Sequence, residues 1–224
     1  AASRMPSKVP LLIGNDSVHG QANLKDATLF PHHIGQGCMR DAKGAPDTDL
    51  VEALARVAAR ETAACGVNWA FSPCVAVPQD LRWGRLYEGF SEDVSIVAAL
   101  GAAEVRGLQN AGVPMAACLK HWVGDGGTQY GSGTHLFFWT GAPTGVLDQG
   151  DCRVDEATLR SQHIAAYLPA LDAGCLTVMA SYSSYQGEKL HVHRRLITEV
   201  LKGELGFEGL VVSDYNAINH LQLQ

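Results

Sequence analysis

The sequence predicts an α/β fold in which helices cross over a parallel sheet, and three observations predict it. A phrase of amphipathic helix, glycine and apolar strand recurs four times along the 224 residues. The strands it yields are apolar almost throughout, the pattern of a sheet covered on both faces. Polar side chains gather at the C-terminal ends of those strands rather than along them. A doubly wound sheet and a (β/α) barrel both satisfy these observations.

KVPLLIGND (8–16) supplies the first strand. Residues 48–65 carry apolar positions at helical spacing, with Asp47 or Thr48 as cap and Gly66 as left-handed stop. VNWAFSPCVAV (67–77) follows at once as a strand. The second phrase is a helix over 92–111, capped by Ser91 and stopped by Gly112, then VPMAACLKH. The third is a helix over 156–173, capped by Asp155 and stopped by Gly174, then CLTVMASYS. The fourth is a helix over 194–205, stopped by Gly206, then FEGLVVSDY. That makes about five strands and four main helices.

Composition narrows the function. The chain is 46% hydrophobic and 18% charged, with a net charge of −6 and no long run of one sign. Nucleic acid and anionic membrane surfaces, which call for a basic patch, are not expected partners. No apolar run reaches the roughly 18 residues that span a bilayer. No GxGxxG follows the first strand and no Walker sequence occurs, so dinucleotide and P-loop readings lose their support. The cysteines (38, 65, 74, 118, 152 and 175) form no CxxC pair and no Cys/His metal spacing. Four of them lie in apolar, helix- or strand-like contexts; they read as small buried apolar residues, and no cofactor or metal is expected. The opening residues lack the charged and apolar regions of a signal peptide. Ala1 at one end and HLQLQ at the other both read as cuts. Nothing sets an oligomeric state.

Asp16, Lys120, His121, Ser181, Tyr182 and Asp214 fall at or just after strand ends. In a barrel those ends converge on the face that carries the active site. Asp214, closing GLVVSD, can attack an electrophilic carbon or act as a base, and can equally cap a helix beginning near Ala217. Lys120 and His121 can bind hydroxyls or a carboxylate; Lys120 could also form a Schiff base, and the pair could be plain surface groups. Asp16 and His19 could be turn residues. RWGRLYEGFSED (82–93) combines Arg, aromatic and acidic side chains, which suits a sugar's hydroxyl edges and apolar faces or a structural Arg–Glu network. GDGGT (124–128) is too short for a convincing phosphate cradle.

Together these segments resemble glycoside hydrolase family 3, in its β-glucosidase and β-glucan exohydrolase branch. GNDSVHG resembles that family's G-x-D-x-V-H-G, and ATLFPHHIGQGCMRD its ATLFPHNIGLGATRD. FSPCVAVPQDLRWGRLYEGFSED, KHWVGDGGT, DQGD, VMASYSSYQGEKLH and LITEVLKGELGFEGLVVSDY find counterparts in the same order. The resemblance runs from about Val9 to about Asn219.

The resemblance implies a (β/α)8 TIM-type barrel, incomplete here at about five or six βα units. Residues 1–224 would be part of the N-terminal barrel domain, with the α/β sandwich domain that follows it lying outside this chain. It implies a retaining, exo-acting β-glucosidase that releases terminal β-D-glucose from β-glucosides or β-glucan oligosaccharides. Asp214 takes the nucleophile of the family's S-D-W/Y strand end. Asp16, Arg85, Lys120, His121 and Tyr182 take the sugar-binding positions of the innermost subsite. Tyr215 stands where the family often has Trp and shapes the aglycone side. The acid/base Glu of this branch comes from the sandwich domain, so no residue here takes that role. A secreted or periplasmic location is also implied. Some relatives carry a cysteine pair flanking the RWGR loop; Pro78 and Leu86 occupy the partner positions of Cys74, so no such disulfide is expected. The hexosaminidase branch carries K-H-F-P-G-H-G-D-T, and KHWVGDGGT lacks its second His. Two other readings stand beside this one: a truncated, non-catalytic chain that at most binds sugar, and a Lys120 Schiff-base lyase.

Overall fold

The strands of the computed structural model, which describes residues 11–133 and 146–221, fall into two sheets. In chain order they are β1 (Gly14–Asn15), β2 (Trp69–Ala70), β3 (Ala116–Trp122), β4 (Asp151–Cys152), β5 (Thr177–Ala180), β6 (Ser184–Tyr185), β7 (Glu188–Lys189) and β8 (Leu210–Val212). The larger sheet has the order β1–β2–β3–β5–β8 and every pairing in it is parallel. Each strand adds on the same side as the one before. A doubly wound sheet would reverse direction partway; a sheet that never reverses keeps its helices on one face and curls around the other. The chain is an α/β fold with a curled parallel sheet, a half-barrel of the TIM type.

The two faces are visible in the packing. Ala70, Ala117, Leu119 and Val178 point outward into a core shared with the crossover helices. Trp69, Ala116, Cys118 and Met179 point inward and form a second cluster with Phe71 and Val212. Alternation along β3 separates the two sets, and β3 is buried along its whole length.

The helices form where capping chemistry allows. The first, α1 (His33–Gln36), is a single turn. In α2 (Thr48–Ala64) the Asp47 carboxylate accepts from the Leu50 N–H at 3.0 Å. In α3 (Val94–Gln109) the cap is Asp93, accepting from Ser95 N–H at 2.8 Å. The sequence points to Ser91 there; its hydroxyl instead accepts from the Asp93 N–H and holds the cap itself. Asp155 caps α4 (Glu156–Thr158) as expected, accepting from Thr158 N–H. The glycines read as helix stops, Gly66, Gly112, Gly174 and Gly206, all have φ between 67° and 81°.

Two helices depart from expectation. The helix expected over 156–173 continues from α4 as a π-wound turn (Leu159–Ile164), stops, and restarts as α5 (Leu168–Asp172). Pro169 has no N–H to donate into the preceding turn, and it sits at the start of α5, where none is needed. The helix over Arg195–Glu204 is π-wound as well, with the Leu205 N–H bonded to the Val200 carbonyl. A last turn, α6 (Ala217–His220), is entered through Asn216 at φ 57°.

The strand expected over 67–77 is regular only at β2, although Cys74 forms a further parallel bridge with Lys120. A small sheet of order β4–β6–β7 has no counterpart in the sequence reading. Its β6–β7 hairpin turns through Gln186 and Gly187, both at positive φ, as a tight two-residue turn requires.

Candidate active site

The strand ends of the larger sheet do converge. Asp16 follows β1, Lys120 and His121 lie among the last residues of β3, and Asp214 lies two residues beyond β8. They line one cavity of about 420 Å³ together with Arg85, Phe71, Met179 and Tyr215. That volume lies within the roughly 300–1,000 Å³ range of small-molecule sites. A second cavity of about 310 Å³ adjoins it, sharing Asp16, Arg85 and Lys120 and bounded by His19, His32 and Tyr87.

Lys120 is buried, and its ammonium donates to Asp16 Oδ1 at 2.8 Å. It is therefore neither a surface group nor a free amine. Arg85 donates from Nε and from a terminal nitrogen to the two Glu88 oxygens, each at 2.8 Å. This is the bidentate fork that fixes a guanidinium in direction as well as place. Burial pushes the Glu88 carboxyl up, but the Arg85 hydrogen bond and charge, with Lys120 and His121 nearby, bring it down to about 2. The Arg–Glu network that the sequence offered as an alternative is formed, and Arg85 also lines the cavity.

His121 links these groups to Asp214. Its Nδ1 lies 2.9 Å from Asp125 Oδ2, and its Nε2 lies 3.2 Å from Arg85. A guanidinium only donates, so Nε2 accepts and the proton sits on Nδ1, facing Asp125. The same Nε2 is 3.6 Å from Asp214 Oδ2. Asp214 keeps 16% side-chain exposure, turned to the cavity. Its other oxygen accepts from the Tyr215 N–H at 2.6 Å, and its own N–H donates to His191 Nε2 at 3.1 Å. Asp214 does not cap α6; the cap position is Asn216.

Tyr182 does not line the large cavity. It packs against His191, with ring centroids 5.7 Å apart. Its hydroxyl is pushed up to about 12, by burial first and then by the charges of Asp214 and Tyr215. Ser181 turns inward and bonds Ser183. His19 is held by the Phe30 carbonyl and meets the His32 ring at a tilt of 37° in the smaller cavity. Four groups escaped the sequence reading: Glu88, Asp125, Asp148 and His191. Asp148, bonded by the Trp83 indole, is pushed up by burial against the pull of Arg85. Each lies inside a motif already singled out; Glu88 and Asp125 meet partners three and four residues away, whereas Asp148 and His191 meet partners distant in sequence.

Among the described residues, Cys74, His121 and Asp125 each bring a metal-ligating atom within 4.8 Å of the others. The His121–Asp125 hydrogen bond occupies two of those atoms. The Cys74 thiol is pushed up by burial, and by Asp125 and Glu88, so it stays protonated. All six cysteines are free, and four are buried. Among the described residues no helix is long and apolar enough to cross a membrane.

Chemically, the site places carboxylates (Asp16, Glu88, Asp125, Asp214) in excess over two cations, Arg85 and Lys120. An excess of negative charge around a cavity of donors and acceptors suits a reaction that develops positive charge on a bound polyol.

Comparisons with known proteins agree on a relationship. The model of the "Glycosyl hydrolase family 3 N terminal domain" matches residues 1–224. A lysosomal beta glucosidase of Dictyostelium discoideum is 32% identical over 96% of this chain and 25% of its own length. A periplasmic beta-glucosidase of Salmonella typhimurium is 30% identical over 99% of this chain and 26% of its own. Among solved structures, an exo-1,3/1,4-beta-glucanase from a Pseudoalteromonas species superposes with a TM-score of 0.80 at 41% identity, covering 93% of this chain and 24% of that one. A beta-glucosidase mutant from Listeria innocua in complex with laminaribiose superposes with a TM-score of 0.80 at 27% identity, covering 96% of this chain and 27% of that one. The chain spans about a quarter of the length of the curated relatives it matches.

Proposed function

The chain belongs to glycoside hydrolase family 3, and from that membership we propose that it carries the nucleophile and sugar-binding rim of a retaining, exo-acting β-glucosidase. The observation that carries the reading is the placement of Asp214: a carboxylate at a strand end, facing a cavity rimmed by Asp16, Arg85, Lys120 and His121. The substrate is a β-glucoside or β-glucan oligosaccharide, from which terminal β-D-glucose is released.

In this mechanism Asp214 attacks the anomeric carbon and forms a covalent glycosyl-enzyme, which water then hydrolyses. The Lys120–Asp16 pair and the Arg85 fork offer fixed donors and acceptors to adjacent sugar hydroxyls, which holds the ring for attack. His121, an acceptor at Nε2, keeps Arg85 turned toward the cavity. Phe71, Met179 and Tyr215 supply the apolar surface that a sugar face needs. The cavity's carboxylates are Asp16 and Asp214. Asp16 is bound to the Lys120 ammonium and acts in binding; the family resemblance assigns the proton for the leaving oxygen to a Glu of the domain that follows the barrel. The isolated chain is on this reading a binder at most. Nothing favours the Schiff-base alternative, since the Lys120 nitrogen is held by Asp16.

A 2-deoxy-2-fluoro-β-glucoside carrying a good leaving group tests the reading in the whole protein that contains this domain. The expected result is a stable glycosyl adduct mapped to Asp214. Asp214→Gly is expected to lower kcat/KM for an aryl β-glucoside by about 10⁴-fold or more. Azide is expected to restore turnover and to give the α-glycosyl azide, the product of attack from the vacated face. An adduct on any other residue rejects the assignment.

A further inference from the structure

The motif that ends in EKLH leaves one group without a role in the reaction, His191. We infer that His191 is a positioning residue for Asp214, accepting the nucleophile's backbone N–H and so setting the direction of its carboxylate. The inference rests on the nucleophile assignment above.

The need for such a partner follows from the sheet. The last ladder pair between β5 and β8 is Met179 with Val212. Asp214 lies two residues farther on, where among the described residues no strand pairing takes its N–H. An unpaired N–H in a half-buried position is costly and would leave the peptide free to turn. His191 Nε2, at 3.1 Å, fills the place of the missing strand. Since the Asp214 carboxylate also accepts the next N–H, that of Tyr215, at 2.6 Å, its direction is tied to the backbone that His191 holds.

His191 is itself held from several sides. Leu190, fully buried, is bonded through its N–H to the Ser183 carbonyl. Two residues earlier, Lys189 donates from Nζ to the Tyr182 carbonyl at 2.8 Å. The Tyr182 ring then packs on the imidazole. Burial draws the His191 imidazole down to about 4, against the opposing charge of Asp214, so Nε2 remains an acceptor at neutral pH. An imidazolium would present N–H to N–H and lose the bond.

The test compares His191→Phe, which keeps the ring and loses the acceptor, with His191→Gln, whose amide oxygen can reach the same N–H. Both are made in the whole protein, and rates are normalised to active sites counted by fluoroglucoside trapping. This normalisation removes any loss of folded protein. The expected result is a fall of about 10–100-fold in kcat/KM for the Phe variant. Its inhibition constant for glucose is expected within about two-fold of wild type, and the Gln variant within a few-fold in kcat/KM. Equal rates in the Phe variant and the wild type, or equal losses in both variants, overturn the inference while leaving the nucleophile in place. A wild-type protein that neither traps nor hydrolyses the glucoside overturns the proposed function and this inference together.

Discussion

Glu88 works with two parts of itself. Its carboxylate holds Arg85, while its backbone carbonyl bonds Nδ1 of the fully buried His33 at 2.7 Å. The His33 ring in turn lies 2.9 Å from the Glu104 carboxylate, an ion-pair distance without hydrogen-bond alignment. Burial pulls the His33 imidazole down, but Glu104 and the Glu88 carbonyl outweigh it and raise the imidazole overall. For the Glu88 carboxyl the outcome is the reverse, from an ordinary 4.5 to about 2, with a side chain only 13% exposed. A carboxyl lowered on folding binds fewer protons folded than unfolded, so its stabilisation is full above pH 4.5 and disappears as pH falls toward 2. The loss is about 3 kcal/mol. Thermal melts between about pH 5 and pH 2.5 should therefore show a steep acid limb, flatter in Glu88→Gln. That variant should also melt lower at about pH 6, because Arg85 would lose its counter-charge. Parallel limbs in the two proteins would show that the pair carries no such linkage.

At the scale of elements, the helices were legible because their ends are chemical. Aspartates that accept a first-turn N–H mark α2 and α4, and glycines that reach positive φ mark the ends of α2, α3 and α5; the cap of α3 is Asp93 where the sequence pointed to Ser91. The break before α5 was missed by the continuous helix read over 156–173, although Pro169 marks it. The small β4–β6–β7 sheet was not legible, since strands of two residues carry no periodicity and β4 pairs with β6 across more than thirty positions. Helix contacts were equally hidden. A Cβ added at Gly107 in α3 would lie 2.4 Å from the Glu52 carbonyl oxygen of α2 and 2.6 Å from Ala55 Cβ. Gly107→Ala gains about 1 kcal/mol of helix propensity and forces apart two backbones that have nowhere to move. Net destabilisation of about 1–3 kcal/mol is expected, read as a lower urea midpoint with an unchanged slope. A raised midpoint would mean that α2 and α3 can separate without cost.

For the molecule as a whole, parallel topology made the rim readable: strands that all run one way deliver their last residues to one edge, so Asp16, Lys120 and Asp214 could be placed together from strand ends alone. His191 could not, because only the folded backbone brings it to Asp214, 23 residues on; Glu88 and Asp125 sit three and four residues from Arg85 and His121, but their spacing did not show which way the side chains turn. The same topology leaves a consequence at the sheet's ends. Among the described residues β1 pairs only with β2, and β8 only with β5. Beside these edges Leu12 is 52% exposed, Ile13 49% and Leu210 48%. Open parallel edges flanked by apolar side chains are templates for pairing with another chain, whereas a closed barrel has none. The 224-residue chain expressed alone is therefore expected to self-associate in light scattering at micromolar concentration. Ile13→Lys with Leu210→Lys places a charge at each edge and should shift the population toward monomer without loss of far-ultraviolet helical signal. If the unmodified chain runs as a monomer, the edges are covered by contacts other than those described. If the double variant associates as strongly as its parent, association proceeds through another surface.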